Sequence, residues 1–446
     1  MNDGESKRLR EEILALTRRY YEATWGEAAE FVPSRSRVPY GGRVFDEAEL
    51  VDLVDSSLDF WLTYGRYSER FEREFGEYIG AKHCLLVNSG SSANLLAFRA
   101  LTSDRLGERK IARGDEVITL ACGFPTTVAP IVQYGAVPVF VDVDLETANL
   151  DVSQLDAALS PRTKAVMLAH TLGNPFDVDA VTAFCRKRGL WLVEDNCDAL
   201  GSRCRGRLTG TFGDIATSSF YPPHHMTLGE GGAVYTSDET LAEILVSLRD
   251  WGRDCKCRSG EDNRCGHRFD HDLGTLPHGY DHKYVFSQFG YNLKVTDMQA
   301  AVGCAQLAKL PAFVEARREN HATLSRLLAP LADLLVLPQA TPGSHPSWFG
   351  FLITLRPKAK AAGLSRDALV RRLEAAKIQT RMLFAGNIVR QPCFDGMRWR
   401  GEGYRSVGDL PNTDCIMSDA FWIGVYPGLS NEMLTYVAHE IARACE

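Results

Sequence analysis

Apolar residues recur at helical spacing near the start of the chain, at Leu9, Ile13, Leu16 and Tyr20. They predict an amphipathic helix over residues 6–22, joined to the main body by a Pro/Arg/Ser stretch. A second amphipathic helix is expected around Phe71, Phe75 and Tyr78. From there the pattern alternates. Short β-rich runs at 84–87, 116–120, 137–141, 165–169, 190–193, 215–220 and 232–235 are separated by helical stretches such as 178–188 and 239–249. Runs of this kind predict an α/β fold, a mostly parallel sheet covered by helices. The pattern shifts near Leu310. A helix is expected over 313–328, then a Pro/Gly/Ser-rich link from Pro338 to Pro346, a strand at 348–355, a helix at 366–376 and a last helix from Glu432. The expected organisation is an N-terminal helix and linker (1–40), a large domain (41–310) and a small C-terminal α+β domain (311–446).

Composition narrows the function classes. With 45% hydrophobic and 24% charged residues the 446-residue chain is ordinary for a soluble globular protein. A net charge of −7 argues against a nucleic-acid or acidic-lipid partner. The first residues are polar, with no apolar core of a secretory signal, and no apolar run reaches the roughly 18–20 residues of a membrane span. A cytoplasmic location is the expectation. Stable disulfides are rare there, so twelve cysteines call for another account. Cys84, Cys185 and Cys304 sit in apolar runs and read as buried hydrophobes, while a cluster among the rest reads as metal-binding.

Three segments carry candidate chemistry. Asn88-Ser89-Gly90-Ser91-Ser92-Ala93-Asn94 follows a strand and opens a helix. Glycine allows close approach, the serines add donors and the helix N-terminus favours an anion, which suits a phosphate; an ordinary helix cap reads the same way. Asp195 closes the buried run Trp191-Leu192-Val193-Glu194-Asp195, where α/β sheets bind ligands. Opposite charges about 3 Å apart at an effective dielectric of about 20 attract by about 5 kcal/mol before desolvation, enough to keep a ring nitrogen protonated. A helix-capping aspartate is the plainer reading. Third, His224 and His225 follow the rigid Tyr221-Pro222-Pro223 turn and precede Gly229-Glu230-Gly231-Gly232. They read either as a placed proton carrier or as solvated surface.

In this order the segments resemble the DegT/DnrJ/EryC1/StrS family of sugar aminotransferases. The likeness extends to Trp61-Leu62-Thr63-Tyr64-Gly65-Arg66, Gly123-Phe124-Pro125-Thr126-Thr127, Val141-Asp142-Val143-Asp144 and the run from Gly290 to Ala301. The resemblance implies the fold-type I architecture of pyridoxal-phosphate enzymes and a homodimer with shared active sites. It implies that Asp195 pairs with the coenzyme ring nitrogen and that Phe124 stacks on the ring. Ser91, Ser92 and Ser219 would hold the phosphate, and Asn292 would reach the phosphate of the partner chain. The informative departure is a lysine. The aminotransferases carry Ser-Phe-x-x-x-Lys, and here the sixth position is His224. Imidazole forms no Schiff base with an aldehyde, so the coenzyme is expected as non-covalent pyridoxamine 5′-phosphate, with His224 as proton carrier.

One residue separates Cys255 from Cys257, seven separate Cys257 from Cys265, and Cys197 lies two past Asp195. In an extended segment Cys255 and Cys257 face the same side. Four thiolates suit zinc or a 2Fe–2S cluster. The spacing, together with His224, resembles the iron–sulfur CDP- and TDP-sugar 3-dehydratases of deoxysugar biosynthesis, which implies a 2Fe–2S cluster on Cys197, Cys255, Cys257 and Cys265. The implied reaction is C3 dehydration of a 4-keto-6-deoxy sugar nucleotide, with Asp198 and Tyr221 assisting His224. Arg381 and Phe384-Ala385-Gly386-Asn387 would contact the sugar nucleotide. The implied electron source is an NAD(P)H-dependent flavin/iron–sulfur reductase, a ferredoxin or a flavodoxin, docking at a rim of Lys256, Arg258, Arg264 and Arg268. Two alternatives stay open: a cluster-free aminotransferase or glutamate-fed dehydratase with a structural zinc site, and a coenzyme-binding protein without catalysis.

Overall fold

The computed structural model describes residues 3–26, 30–257, 260–270 and 272–446. Its centre is an eight-stranded sheet. Reading across it, the strands are His83–Val87, Gly232–Thr236, Ile215–Ser219, Trp191–Asp195, Thr163–Ala169, Glu116–Leu120, Val137–Val141 and Arg405–Ser406. Gly232–Thr236 runs antiparallel to both neighbours, and every other pairing is parallel. Alternate side chains enter two separate cores. Ile118, Leu120, Val166, Leu168 and Leu192 pack on one face. Val117, Ala165, Met167, Trp191 and Val193 pack on the other, against Leu96, Ala97 and Phe98 of the helix Gly90–Leu101. This is why these strands read as unbroken apolar runs.

Strand parity therefore sends Glu194 and Asp195 to opposite faces. The expected strands lie where the pattern placed them, with ends shifted by one or two residues; the run expected at 190–193 extends to Asp195. A larger difference lies near residue 310. The helix expected over 313–328 is one continuous helix, Asp297–Leu328, with Pro311 inside it. Thr296 caps it in a reciprocal capping box with Gln299. Packing against the helices Glu47–Asp59 and Arg66–Ile79 carries the helix past the proline. The expected 310/311 boundary thus falls inside this helix.

The C-terminal part holds a three-stranded antiparallel sheet, Leu335–Val336, Gly350–Leu355 and Ala420–Gly424, under the helices Arg366–Ala375 and Asn431–Cys445. It is tied to the rest twice more. Val38 pairs in parallel with Ile378, and Arg405–Ser406 joins the large sheet beside Val139 and Phe140. The N-terminal helix, Asp3–Trp25, docks by Arg10, whose guanidinium donates to Asp55 at 2.6 Å and Asp59 at 2.8 Å. No described helix is long and apolar enough to cross a membrane.

Candidate active site

Asp195 ends its strand with the side chain buried on the helix-covered face. Asn94 Nδ2 donates to Oδ2 at 2.8 Å and Thr127 Oγ1 donates to the same oxygen at 2.6 Å. Thr217, the register neighbour of Asp195, donates to Asn94 Oδ1 at 2.7 Å and fixes the amide. The carboxylate is thereby held with one oxygen doubly committed. Glu194, on the opposite face, is structural: it accepts the backbone N–H groups of Gly210, Phe212 and Gly213 and faces His170 at 3.1 Å.

The chain turns directly after Asp195, and the turn places Asp198 beside His224. Burial first, then the neighbouring Asp195 carboxylate, push the Asp198 carboxyl up to about 8. Its Oδ1 lies 3.6 Å from His224 Nδ1. Burial, then the Arg317 guanidinium, hold the His224 imidazole down at about 4. Both shifts favour the uncharged forms, an imidazole beside a protonated carboxyl, over an ion pair. The His224 ring stacks on Phe349, with centroids 5.0 Å apart. The Nε2 of His225 sits 2.8 Å from the Ser347 carbonyl. The Tyr221 ring is 6.4 Å from that of His224 and half exposed.

Ser219 closes its strand against the start of the helix Gly90–Leu101. A Cβ on Gly90 would come within 2.4 Å of Ser219 Cβ, so only glycine lets the two approach. Ser89 caps this helix by accepting from the Ser92 N–H at 3.0 Å, and Ser91 is exposed on its first turn. Phe124 caps the helix Pro125–Gln133, is 50% exposed, and meets Phe384 edge-on at 5.9 Å. That contact brings the 384–387 segment to the same mouth. Arg381 stacks over Tyr40 at 3.9 Å. Asn292 lies apart on the surface, where its Oδ1 accepts from Lys294 at 2.8 Å. Pairwise contacts thus link these elements: Asp195 to the helices that begin at Gly90 and Pro125, Ser219 to Gly90, and Asp198 to His224.

Sequence reasoning missed the supports. Asn94 is a polar residue on an otherwise apolar helix face, and that was a usable signal. Arg317 gave none: it stands among Glu315, Arg318 and Glu319 and reads as solvated, yet it is buried. It donates to the carbonyls of His224 at 3.0 Å, Pro223 at 3.3 Å and Trp348 at 3.2 Å.

The cysteines divide. Cys255, Cys257 and Cys265 line one small pocket with Asn263, Arg268, His282 and Lys283. Each sulfur accepts a backbone N–H at 3.4 Å, from Cys257, Arg264 and His267 respectively. Amide donors of this kind stabilise thiolates. Cys197 is not in that lining. Its thiol is half-buried beside Asp195 and Thr217, and burial with the Asp195 charge pushes it up. Among the described residues no group of three or more His, Cys, Asp or Glu side chains is disposed as a metal-ligand set. The structure therefore gathers three of the four expected ligands and leaves the fourth at the strand end. The basic rim is largely neutralised: Lys256 pairs with Glu243, Arg264 with Glu261 and Arg268 with Asp281, while Arg258 lies outside the described residues.

Residues 45–442 match the DegT/DnrJ/EryC1/StrS aminotransferase family. The chain belongs to this family. Among family relatives, it is 53% identical over 429 residues to lipopolysaccharide biosynthesis protein RfbH of Salmonella typhimurium, covering 96% of each chain. It is 52% identical to the dTDP-4-dehydro-2,6-dideoxy-D-glucose 3-dehydratase of Saccharopolyspora spinosa, over 97% of this chain and 91% of that one. Its fold superimposes with a TM-score of 0.80 on the E. coli GDP-4-keto-6-deoxy-D-mannose-3-dehydratase with bound hydrated PLP, at 28% identity, over 91% of this chain and 99% of that one. The architecture is the fold-type I arrangement of DegT/DnrJ/EryC1/StrS proteins, with its mostly parallel sheet.

Proposed function

We propose that this chain removes the 3-hydroxyl of a 4-keto-6-deoxy sugar nucleotide, CDP- or TDP-linked, with pyridoxamine phosphate held without a covalent link. One observation carries the reading: a buried His224, 3.6 Å from Asp198, takes the place of the aminotransferase lysine. The 3-dehydratase names of relatives at 52% and 36% identity support it. Pyridoxamine phosphate, when bound, supplies an amine that condenses with a ketone and a ring that takes up electrons. Asp195, steadied by Asn94 and Thr127, fixes the protonated ring nitrogen. The Gly90 helix start and Ser219 would receive the phosphate, and Phe124 would cover the ring. His224 accepts the proton from the coenzyme C4′, and Asp198 and Tyr221 assist as proton donors near the leaving hydroxyl.

The fuller reading adds a 2Fe–2S cluster held by Cys255, Cys257, Cys265 and Cys197. The amide-capped sulfurs around one pocket support three of those ligands. A cluster would supply single-electron transfer, and completing the deoxygenation takes two electrons that no side chain here provides. An NAD(P)H-dependent reductase, a ferredoxin or a flavodoxin is the proposed donor. A structural zinc ion in a glutamate-fed enzyme is the second reading, favoured by the separation of Cys197 from the other three. Protein purified without oxygen or chelator should contain about two irons and two sulfides per chain. It should form 3-deoxy sugar only with a reductant system present. One zinc per chain would overturn the cluster, and turnover with glutamate alone would overturn the reductive reaction.

A further inference from the structure

The helix Asp3–Trp25 lies ahead of the family match, which begins at residue 45. It holds to its own chain along one stripe. Arg10 bonds Asp55 and Asp59, Leu14 and Thr17 are partly buried, and Tyr21 and Trp25 meet Phe45 edge-on at 6.0 and 5.6 Å. A second stripe runs beside it, about 100° round the helix. It consists of Leu9, Ile13, Leu16 and Tyr20, and all four are exposed, Leu16 at 58% and Tyr20 at 60%. Their spacing of four, three and four residues is the alternation by which one helix seats against another. Apolar side chains scattered singly on a surface need no partner, but a row in register does. The chain as a whole exposes 20352 Å², against roughly 17,000 Å² expected for a compact monomer of this length. That surplus suits a subunit of an assembly.

The charges beside the seam select the partner. Glu12 stands on one shoulder of it, and Arg19 stands on the same shoulder one heptad later, both exposed. Within its chain Glu12 faces Arg8 at 3.5 Å, with both side chains mostly in solvent, a contact of little energy. Laid antiparallel on a second copy of itself, the helix sets Leu9 against Tyr20, Ile13 against Leu16 and Glu12 against Arg19, each contact occurring twice. A parallel pair would instead bring Glu12 beside Thr17 and Arg19 beside Thr24, with no charge matched.

We propose that the seam of Leu9, Ile13, Leu16 and Tyr20 is an interaction surface for a second copy of this chain, whose own N-terminal helix lies antiparallel on it with Glu12 and Arg19 paired across the two-fold axis. The pairing uses none of the residues around Asn292, through which the family resemblance implies a shared site, and it needs no coenzyme or metal. Arg10 stays with Asp55 and Asp59, so the helix keeps its seat on its own chain while its neighbouring stripe is covered.

The test uses the full chain, with association followed by sedimentation velocity over a concentration series. Leu16→Glu places a carboxylate in the seam of each copy and should raise the dissociation constant of the assembly by about 10²-fold or more. Glu12→Arg sets like charges against each other twice and should raise it by about tenfold. Adding Arg19→Glu to that variant should restore association, which a misfolded chain would not do. A photo-reactive benzoylphenylalanine in place of Tyr20 should give, on irradiation, a product of twice the chain mass joined near Leu9 of the other copy. Unchanged association in Leu16→Glu overturns the inference. So does a charge swap that fails to restore association, and so does a cross-link that is missing or joined elsewhere.

Discussion

Two adjacent histidines meet different surroundings at the floor of the cleft. The His224 ring lies between Phe349 and Asp198, where burial keeps it neutral and able to take a proton. His225 is hydrogen-bonded to the Ser347 carbonyl and joins the His loop to the segment before the strand Gly350–Leu355. His224→Asn should leave coenzyme binding intact, because the phosphate and ring contacts lie elsewhere. Exchange of the coenzyme C4′ hydrogens with solvent, followed by NMR, should slow by about 10²-fold or more. His225→Asn should instead lower unfolding stability by about 1–3 kcal/mol in urea and keep much of the exchange. The opposite pattern would exchange the two roles. Arg317 belongs to the same floor. Its donors serve the carbonyls of Pro223, His224 and Trp348, so Arg317→Met should leave buried acceptors unmet. A stability loss of about 1–3 kcal/mol is expected, together with slower exchange.

Among the elements, the N-terminal helix is held by charge at Arg10 and by Tyr21 and Trp25 against Phe45. Its Leu9, Ile13, Leu16 and Tyr20 are exposed, whereas Arg10 reaches Asp55 and Asp59. Burial alone would raise the Asp55 carboxyl, but hydrogen bonds from Arg10, Arg66 and Tyr67 outweigh it and hold Asp55 well below the usual carboxylate range. A depressed folded-state value means that Asp55 stabilises the docked state fully above the unfolded carboxylate range and loses that contribution as pH falls below it. Hydrogen exchange of residues 3–25 should therefore rise on acidification ahead of the central sheet, and Arg10→Ala should give the same profile at neutral pH. Equal protection of helix and sheet in acid would contradict this. The same elements show what a sequence makes legible. The central strands were readable because both faces are covered, and Asp195 because it ends such a strand. Arg405–Ser406 was not, since two residues carry no period. Cys197 was readable as a cysteine but not as one set apart, because spacing along the chain does not report which way a strand end turns.

For the whole molecule, the surface around Asn292 points to a second copy. Phe289 is 94% exposed, with Trp251 and Phe286 also exposed on the two strand-like segments that pair there. Apolar side chains this bare in a protein of net charge −7 fit an isologous interface that buries them. Light scattering should give twice the chain mass, and Phe289→Asp should shift the population towards monomer and lower coenzyme affinity. A monomer with full affinity would contradict the shared site. The long helix Asp297–Leu328 has a mechanical meaning as well. It starts against the large sheet, ends in the C-terminal core, and between them Arg317 ties the His loop to Trp348, just before the strand Gly350–Leu355. A single continuous helix thus spans both cores. The expectation is that a nucleotide sugar enters past side chains and surface loops while the scaffold stays in place, so scattering profiles with and without it should overlay.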